Sequence, residues 1–209
     1  MITHTLVPGE LPRTKQGVTA GVRVLQRALE PDPLFQFLFS HQNRDKDISV
    51  FFTYMIRKST LLKEKALYIP HNGQPVCVAN LELPTSKRNF QMFSSPLFIM
   101  ETLVLMFKLP KRIVRHLNSY MKYTTLARPD LPHHYLTFIG VDPEHQGQGI
   151  GKIMLEHLHS LVESDPHSCG IGLDTENPAN VLLYEHLGYK LTGEHTLGNI
   201  TIYCMFRNK

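Results

Sequence analysis

The sequence predicts an α/β fold built on a mixed sheet. In the C-terminal half short apolar strands alternate with helices, which requires parallel pairing there. Hairpin signals near both ends of the pattern add antiparallel neighbours. Between them a glycine-rich turn joins a buried strand to an amphipathic helix, the unit on which a functional reading rests.

The elements follow in order. Residues 18–29 read as a first helix, stopped by Pro31 and Pro33. A second helix covers about 47–65, where Ile48, Phe51, Phe52, Met55, Ile56 and Ser59 recur at helical spacing. Short strands at 66–70 and 76–83 flank His71-Asn72-Gly73-Gln74, whose Asn-Gly pair signals a tight hairpin turn. Residues 96–125 are helical in pattern but broken by Pro110, giving a two-helix insertion at about 94–127. Within it Phe98, Leu103, Met106 and Phe107 are expected in the core, and the basic flank from Lys108 to Lys122 is expected to face solvent.

Residues 135–141 read as a buried strand closed by Pro143, and 149–163 as an amphipathic helix with Ile150, Ile153, Met154, His157, Leu158 and Leu161 on one stripe. A strand at 168–175 and a helix at 177–187 follow, the helix carrying Pro178 in its first turn and Gly188 as its C-cap. Strands 190–196 and 201–206 close the chain as a hairpin turning through Gly198-Asn199.

Composition narrows the function classes. With 209 residues, 42% hydrophobic and 19% charged, the chain is expected to fold as one unit, with no disordered tract. The net charge of +4 is spread along the chain, which suits an anionic ligand, and no nucleic-acid partner is expected. Cys77, Cys169 and Cys204 are far apart, without a C-x-x-C pair, so neither zinc nor any other metal is expected, and the compartment reads as reducing. The first fifteen residues lack the apolar core of a secretion signal, and residues 97–109 are too short to span a bilayer and carry Glu101 and Lys108. A cytoplasmic protein without stable membrane insertion is expected, as monomer or homodimer.

The chemistry concentrates in Gln146-Gly147-Gln148-Gly149-Ile150-Gly151-Lys152. Glycines let a backbone approach a ligand and adopt positive φ, successive N–H groups form an anion-binding nest, and the following helix adds its partial positive end. A pyrophosphate suits such a loop, with Lys152 as an added cation. A Walker P-loop is excluded because Gln146 stands where its first glycine belongs and Ile153 where Ser or Thr belongs. The dinucleotide fingerprint is excluded by the G-x-G-x-G spacing and by the late position of the turn.

The segment V-D-P-E-H-Q-G-Q-G-I-G-K at 141–152 resembles the acetyl-CoA-binding motif of the GNAT N-acetyltransferases. Further on, Asp174-Thr175-Glu176-Asn177-Pro178-Ala179-Asn180 and Tyr184-Glu185-His186-Leu187-Gly188-Tyr189 are similar to the family's E-N-x-x-N-x-x-x-Y-E-x-x-G-[FY] helix. The resemblance covers about 131–206 well and the rest only by element order. Pro132-His133-His134-Tyr135-Leu136 is similar to a P-H-W-Y-L pattern of a branch that includes puromycin N-acetyltransferase-like proteins, with His134 in place of the aromatic.

The resemblance implies a mostly antiparallel sheet with a central, splayed parallel strand pair flanked by helices, a cofactor-binding core at about 131–190, and direct transfer of an acetyl group from acetyl-CoA to an amine of a small molecule or peptide. The backbone of Ile139, Gly140 and Val141 would hold the pantetheine and thioester, and the loop residues Gln146, Gly147, Gln148, Gly149, Ile150, Gly151 and Lys152 the pyrophosphate. Asn177 and Asn180 would meet pantetheine amides, although Asn177 before Pro178 also reads as a plain N-cap. Tyr184 matches the tyrosine that gives the leaving sulfur a proton, or else packs locally. Base candidates are His133, which a structural role also explains, His134 and Glu82, whose strand alternation could equally leave it in solvent. Glu144 and His145 read as exposed. A non-catalytic acyl-CoA-binding module, or a transferase of a longer acyl group, is compatible with the same residues.

Overall fold

The computed structural model describes residues 6–84 and 95–209. The first five residues, and residue 94 at the expected start of the insertion, lie outside them. Helices α1 (Lys15–Ala28), α2 (Pro33–Leu38) and α3 (Arg44–Leu61) follow a two-residue strand, β1 (Gly9–Glu10). The hairpin β2 (Lys65–His71) and β3 (Gln74–Glu82) comes next, then the insertion helices α4 (Pro96–Lys108) and α5 (Lys111–Leu126). The chain ends with β4 (His134–Val141), α6 (Ile150–Ser164), β5 (Gly170–Thr175), α7 (Pro178–His186), β6 (Lys190–Leu197) and β7 (Ile200–Asn208).

The described strands form one sheet in the order β1-β2-β3-β4-β5-β7-β6. Every neighbouring pair is antiparallel except β4 and β5, which run parallel. The predicted mixed sheet with one central parallel pair is therefore present, and the two ends of that pair behave differently. The register joins His134, Tyr135 and Leu136 to Ile171, Gly172 and Leu173 and stops there, although both strands continue. On its other edge β4 stays paired with β3 as far as Val141. A shift in that ladder pairs Leu81 with Leu136 but Asn80 with Phe138, leaving Thr137 as the extra residue of a bulge. The strand pair splays from Thr137 onward.

The sheet separates two cores. On one face α1, α2, α3 and α5 pack on Val78, Phe138, Ile202 and Cys204. On the other α6 lays Ile150, Met154, Leu155, Leu158 and Val162 against Leu67, Ile69, Ala79, Leu136, Ile171 and Leu173. The bulge explains how Leu136 and Phe138 reach opposite faces despite their even spacing. The α6 stripe is shifted from the expected one: Leu155, His159 and Val162 are buried, while Ile153, His157 and Leu161 are only half-buried.

Differences from the expected elements have local causes. Pro33 does not merely stop the first helix: Asp32 caps the backbone of Leu34 and Phe35, and Pro33 opens the short α2. The helix α3 ends at Leu61 rather than near 65, because Lys63 takes a left-handed φ of 54°. The largest difference is in α4, which has no buried residue: Leu103, Met106 and Phe107 are 50%, 45% and 88% exposed, and Phe98 is half-buried. Periodicity cannot distinguish a core helix from an apolar helix left outside, since both are hydrophobic all round.

Gly140 shows how tightly α1 sits on β4. A Cβ there would lie 2.9 Å from the Ala28 Cβ and 3.1 Å from the Leu25 Cδ2, so this glycine makes room for the helix. Gly140→Val is expected to destabilise the fold by about 1–3 kcal/mol through overpacking. A lowered denaturation midpoint at unchanged slope is the expected reading; an unchanged midpoint would show that α1 can move away.

Candidate active site

The turn after β4 is built to present backbone donors. Asp142, buried, accepts from the Glu144 N–H at 3.1 Å and sets the single 3-10 turn Pro143–His145. Arg27 on α1 reaches Asp142 at 3.0 Å and Glu144 at 2.7 Å, tying the turn to the opposite face of the sheet. Gln146 donates to the Val141 carbonyl at 3.0 Å, and the Gln148 amide lies 3.5 Å from the Glu144 carbonyl. Gly147 and Gly149 have φ of 75° and 77°, a conformation that disfavours side chains. Gly149 is the N-cap of α6 and offers no side chain, so the first-turn N–H groups of Ile150, Gly151 and Lys152 have no side-chain cap.

That arrangement fits an anion. Ile150 is 2% exposed and anchors the helix start, whereas Gly147, Gln148 and Gly149 are exposed. Gly151 differs from the other glycines: it lacks the positive φ, and a Cβ there would meet only the Val141 Cγ2 at 3.5 Å. Lys152 lies on the outer face, 3.8 Å from Glu156, with its side chain 69% exposed.

Beside the loop, burial along β4 falls from buried at Tyr135 and Leu136 to intermediate at Thr137, Phe138 and Ile139. The edge of Ile139, Gly140 and Val141 that would face β5 has no strand partner among the described strands. Peptide groups on such an edge need partners, and an extended amide-bearing chain supplies them.

Where the splay opens, acidic and phenolic groups meet. Tyr120 of α5 donates to Asp174 and, at 2.6 Å, to Glu176; Tyr135 donates to the other Asp174 oxygen. Arg128 lies 3.4 Å above the Tyr135 ring and 3.4 Å from Glu82, and Glu82 is bonded to Lys58 at 2.8 Å. Lys58 also stands 3.4 Å from Glu64, to which Asn80 donates at 3.1 Å. Burial raises the Asp174 carboxyl above the ordinary carboxylate range, against the tyrosine hydrogen bonds and Arg128. Glu176 is raised well above it by burial and by Asp174 beside it.

The expected residues divide accordingly. Tyr184 is buried on α7, its hydroxyl held protonated by burial and by the field of Asp174, Glu176 and Asp32. Asn177 serves as the N-cap, accepting from Ala179 at 3.0 Å, and Asn180 donates to Thr175 at 3.3 Å. His133 stands at the closed end of the strand pair, six residues before Ile139, on the order of 20 Å along the strand. Its Nδ1 meets the Leu131 carbonyl at 2.7 Å, Nε2 finds no hydrogen-bond partner among the described residues, and burial lowers its pKa. His134 is bonded to Ser168 at 2.9 Å. Glu82 is 3% exposed, so the solvated alternative for it is overturned by the side chains of Lys58 and Arg128. Glu144 is exposed as expected, but His145 is half-buried, its ring 5.3 Å from that of His71.

Asp174, Tyr120, Tyr135 and Arg128 were not candidates from the sequence. Asp174 and Glu176 stand inside the motif before Tyr184, and two acidic residues two positions apart at the end of a strand were the available signal. Tyr120 carried none, because its role depends on how the insertion folds over the sheet.

Because the Glu176 carboxyl binds its proton more tightly folded than unfolded, folding stability falls as pH rises above the ordinary carboxylate range. Glu176→Gln removes that loss. Its melting temperature is expected to match the wild type near pH 4 and to exceed it increasingly toward pH 8; a difference constant with pH would refute the raised value.

Residues 113–191 match the family model described as Acetyltransferase (GNAT) domain. The whole fold is similar to a crystal structure described as histone acetyltransferase HPA2 and related acetyltransferase from Corynebacterium glutamicum, at a TM-score of 0.65 and 18% identity over 96% of this chain and 95% of that one. It is similar to the ribosomal-protein-S18-alanine N-acetyltransferase from Escherichia coli, at a TM-score of 0.57 and 16% identity, covering 98% and 94%. It is also similar to the NatC complex bound to Gag peptide and CoA, at 0.54 and 14%, covering 98% of each chain. The matched stretch takes in most of α5, the splayed strand pair and the glycine loop, so the chain is similar to GNAT acetyltransferases in this stretch and in its fold.

Proposed function

We propose that this protein transfers the acetyl group of acetyl-CoA to an amine in a direct ternary complex. The observation that carries the reading is the juxtaposition of an uncapped glycine N-terminus, an unpaired edge of β4 and a protonatable carboxylate pair, all at the opening of one splayed strand pair. When bound, acetyl-CoA supplies a thioester acyl group.

In this reading the backbone N–H groups of residues 146–152 hold the pyrophosphate, and Gly147 and Gly149 are required for their conformation. The unpaired edge of Ile139, Gly140 and Val141 receives the pantetheine amides and orients the acyl carbonyl. Tyr184, kept protonated, is the donor for the leaving sulfur. Asp174 and Glu176 attract the ammonium form of the acceptor and take up its proton, a task suited to carboxyls held above their ordinary range. Tyr120 and Tyr135 orient Asp174 through its two oxygens. His133 is the weaker candidate for a base because of its distance from Ile139 along β4. The Escherichia coli neighbour is named for an alanine of a ribosomal protein, and the acceptor here is likewise a small-molecule or peptide amine.

Gly149→Val is expected to abolish acetyl-CoA binding in calorimetry. A Cβ at that site meets no neighbour within 4 Å, so the cost to the fold is confined to the left-handed backbone, about 1–3 kcal/mol. Retained wild-type affinity would remove the loop from the binding site. Tyr184→Phe is expected to lower kcat about 10- to 100-fold while leaving acetyl-CoA affinity unchanged. Wild-type turnover in a panel of amines, read by free thiol release, would assign the hydroxyl a packing role.

A further inference from the structure

The insertion helix α4 leans on α3 through Thr102 and Glu101 and packs Leu105 against one core, yet it buries no residue fully and turns a wide apolar face outward. Of the fourteen large hydrophobic residues exposed among the described residues, seven lie on this one helix, including Leu97, Met100, Leu103 and Phe107. Phe107, at 88%, is the most exposed of them. A surface of this kind on a folded chain marks an interaction site.

Charge identifies the occupant. Residues 96–126 contain five Lys and Arg and one acidic residue, Glu101, which is engaged by Arg57 at 3.6 Å. Leu103, Met106 and Phe107 form one wall of an open groove of about 620 Å³, whose other wall is Lys111, Arg115 and Lys122 of α5. No described carboxylate lies within ion-pair distance of those three cations. A second copy of the chain, docked face to face, would bring like charges together in a self-complementary contact. An anionic bilayer instead accepts both features, with apolar side chains entering the headgroup boundary and cations meeting lipid phosphates.

We propose that α4 and the basic flank of α5 form a docking surface for an anionic lipid bilayer. The helix lies in the interface and does not cross it: thirteen residues span about 20 Å, short of the hydrocarbon core, and no described helix is long and apolar enough to cross a membrane. Tyr120 is on the same helix as the cations but bonds inward to Asp174 and Glu176, so the docking surface is separate from the carboxylate site. The inference does not depend on the catalytic reading.

The chain contains no tryptophan, so Phe107→Trp supplies a single reporter on the surface itself. With the full chain and vesicles of phosphatidylcholine containing about a third phosphatidylserine, the emission is expected to shift to the blue and to be quenched by brominated acyl chains. Cosedimentation with the same vesicles is expected to weaken at least tenfold in Leu103→Asp/Phe107→Asp and in Lys111→Glu/Arg115→Glu/Lys122→Glu, and to fall with added salt. Both variants alter exposed positions, and unchanged melting curves confirm that they fold. Absence of binding to anionic vesicles, binding insensitive to both variants, or a concentration-dependent dimer abolished by Phe107→Asp would each overturn the proposal, the last in favour of a second copy.

Discussion

Between Leu136 and Val141 one edge of β4 lacks a neighbour among the described strands, while the other edge remains paired with β3. A parallel ladder would have continued along both strands if their spacing had been kept. The bulge at Thr137 adds a residue on β4 and turns the strand as it does so. The opening places peptide groups in the middle of a sheet without their usual partners, beside a helix start whose donors also lack a cap. Loop, helix and acidic cluster are all positioned by this one departure from regular pairing.

Holding the opening apart requires support from both faces. On one face α6 anchors its first residue, Ile150, in the core. On the other, α1 comes close enough to β4 that only glycine fits at position 140, and its Arg27 grips the turn through Asp142 and Glu144. The insertion then closes the same face by bringing Tyr120 to the two carboxylates. Removing charge from water in this region is costly, and the structure answers with connected pairs running from Asp174 through Tyr135, Arg128 and Glu82 to Lys58. Asp174 and Glu176 end that series with tyrosine hydroxyls rather than a cation as their hydrogen-bond donors, which is why burial lifts their affinity for protons.

The insertion has two sides with opposite demands. Its inner side supplies Tyr120, Ile113 and Thr124 to the protein, and its outer side leaves apolar and basic residues in solvent. The inner side explains why the insertion is ordered against the sheet. The outer side has no counterpart in the packing of the described residues.

Patterns that depend only on neighbours in the chain were legible in the sequence. The alternation of strand and helix after residue 134, the Asn72-Gly73 turn, the Pro110 break and the left-handed glycines of the loop follow from local sterics and short-range periodicity, and the structure has each of them. Tertiary packing decided the rest. Whether α4 was core or surface, whether Glu82 met water or Lys58, and which acidic residues gathered at the splay all turn on contacts between residues dozens of positions apart. Hydrophobicity records a preference for burial, and charge a need for partners, but neither specifies the neighbour. That neighbour exists only once the sheet has brought distant segments together.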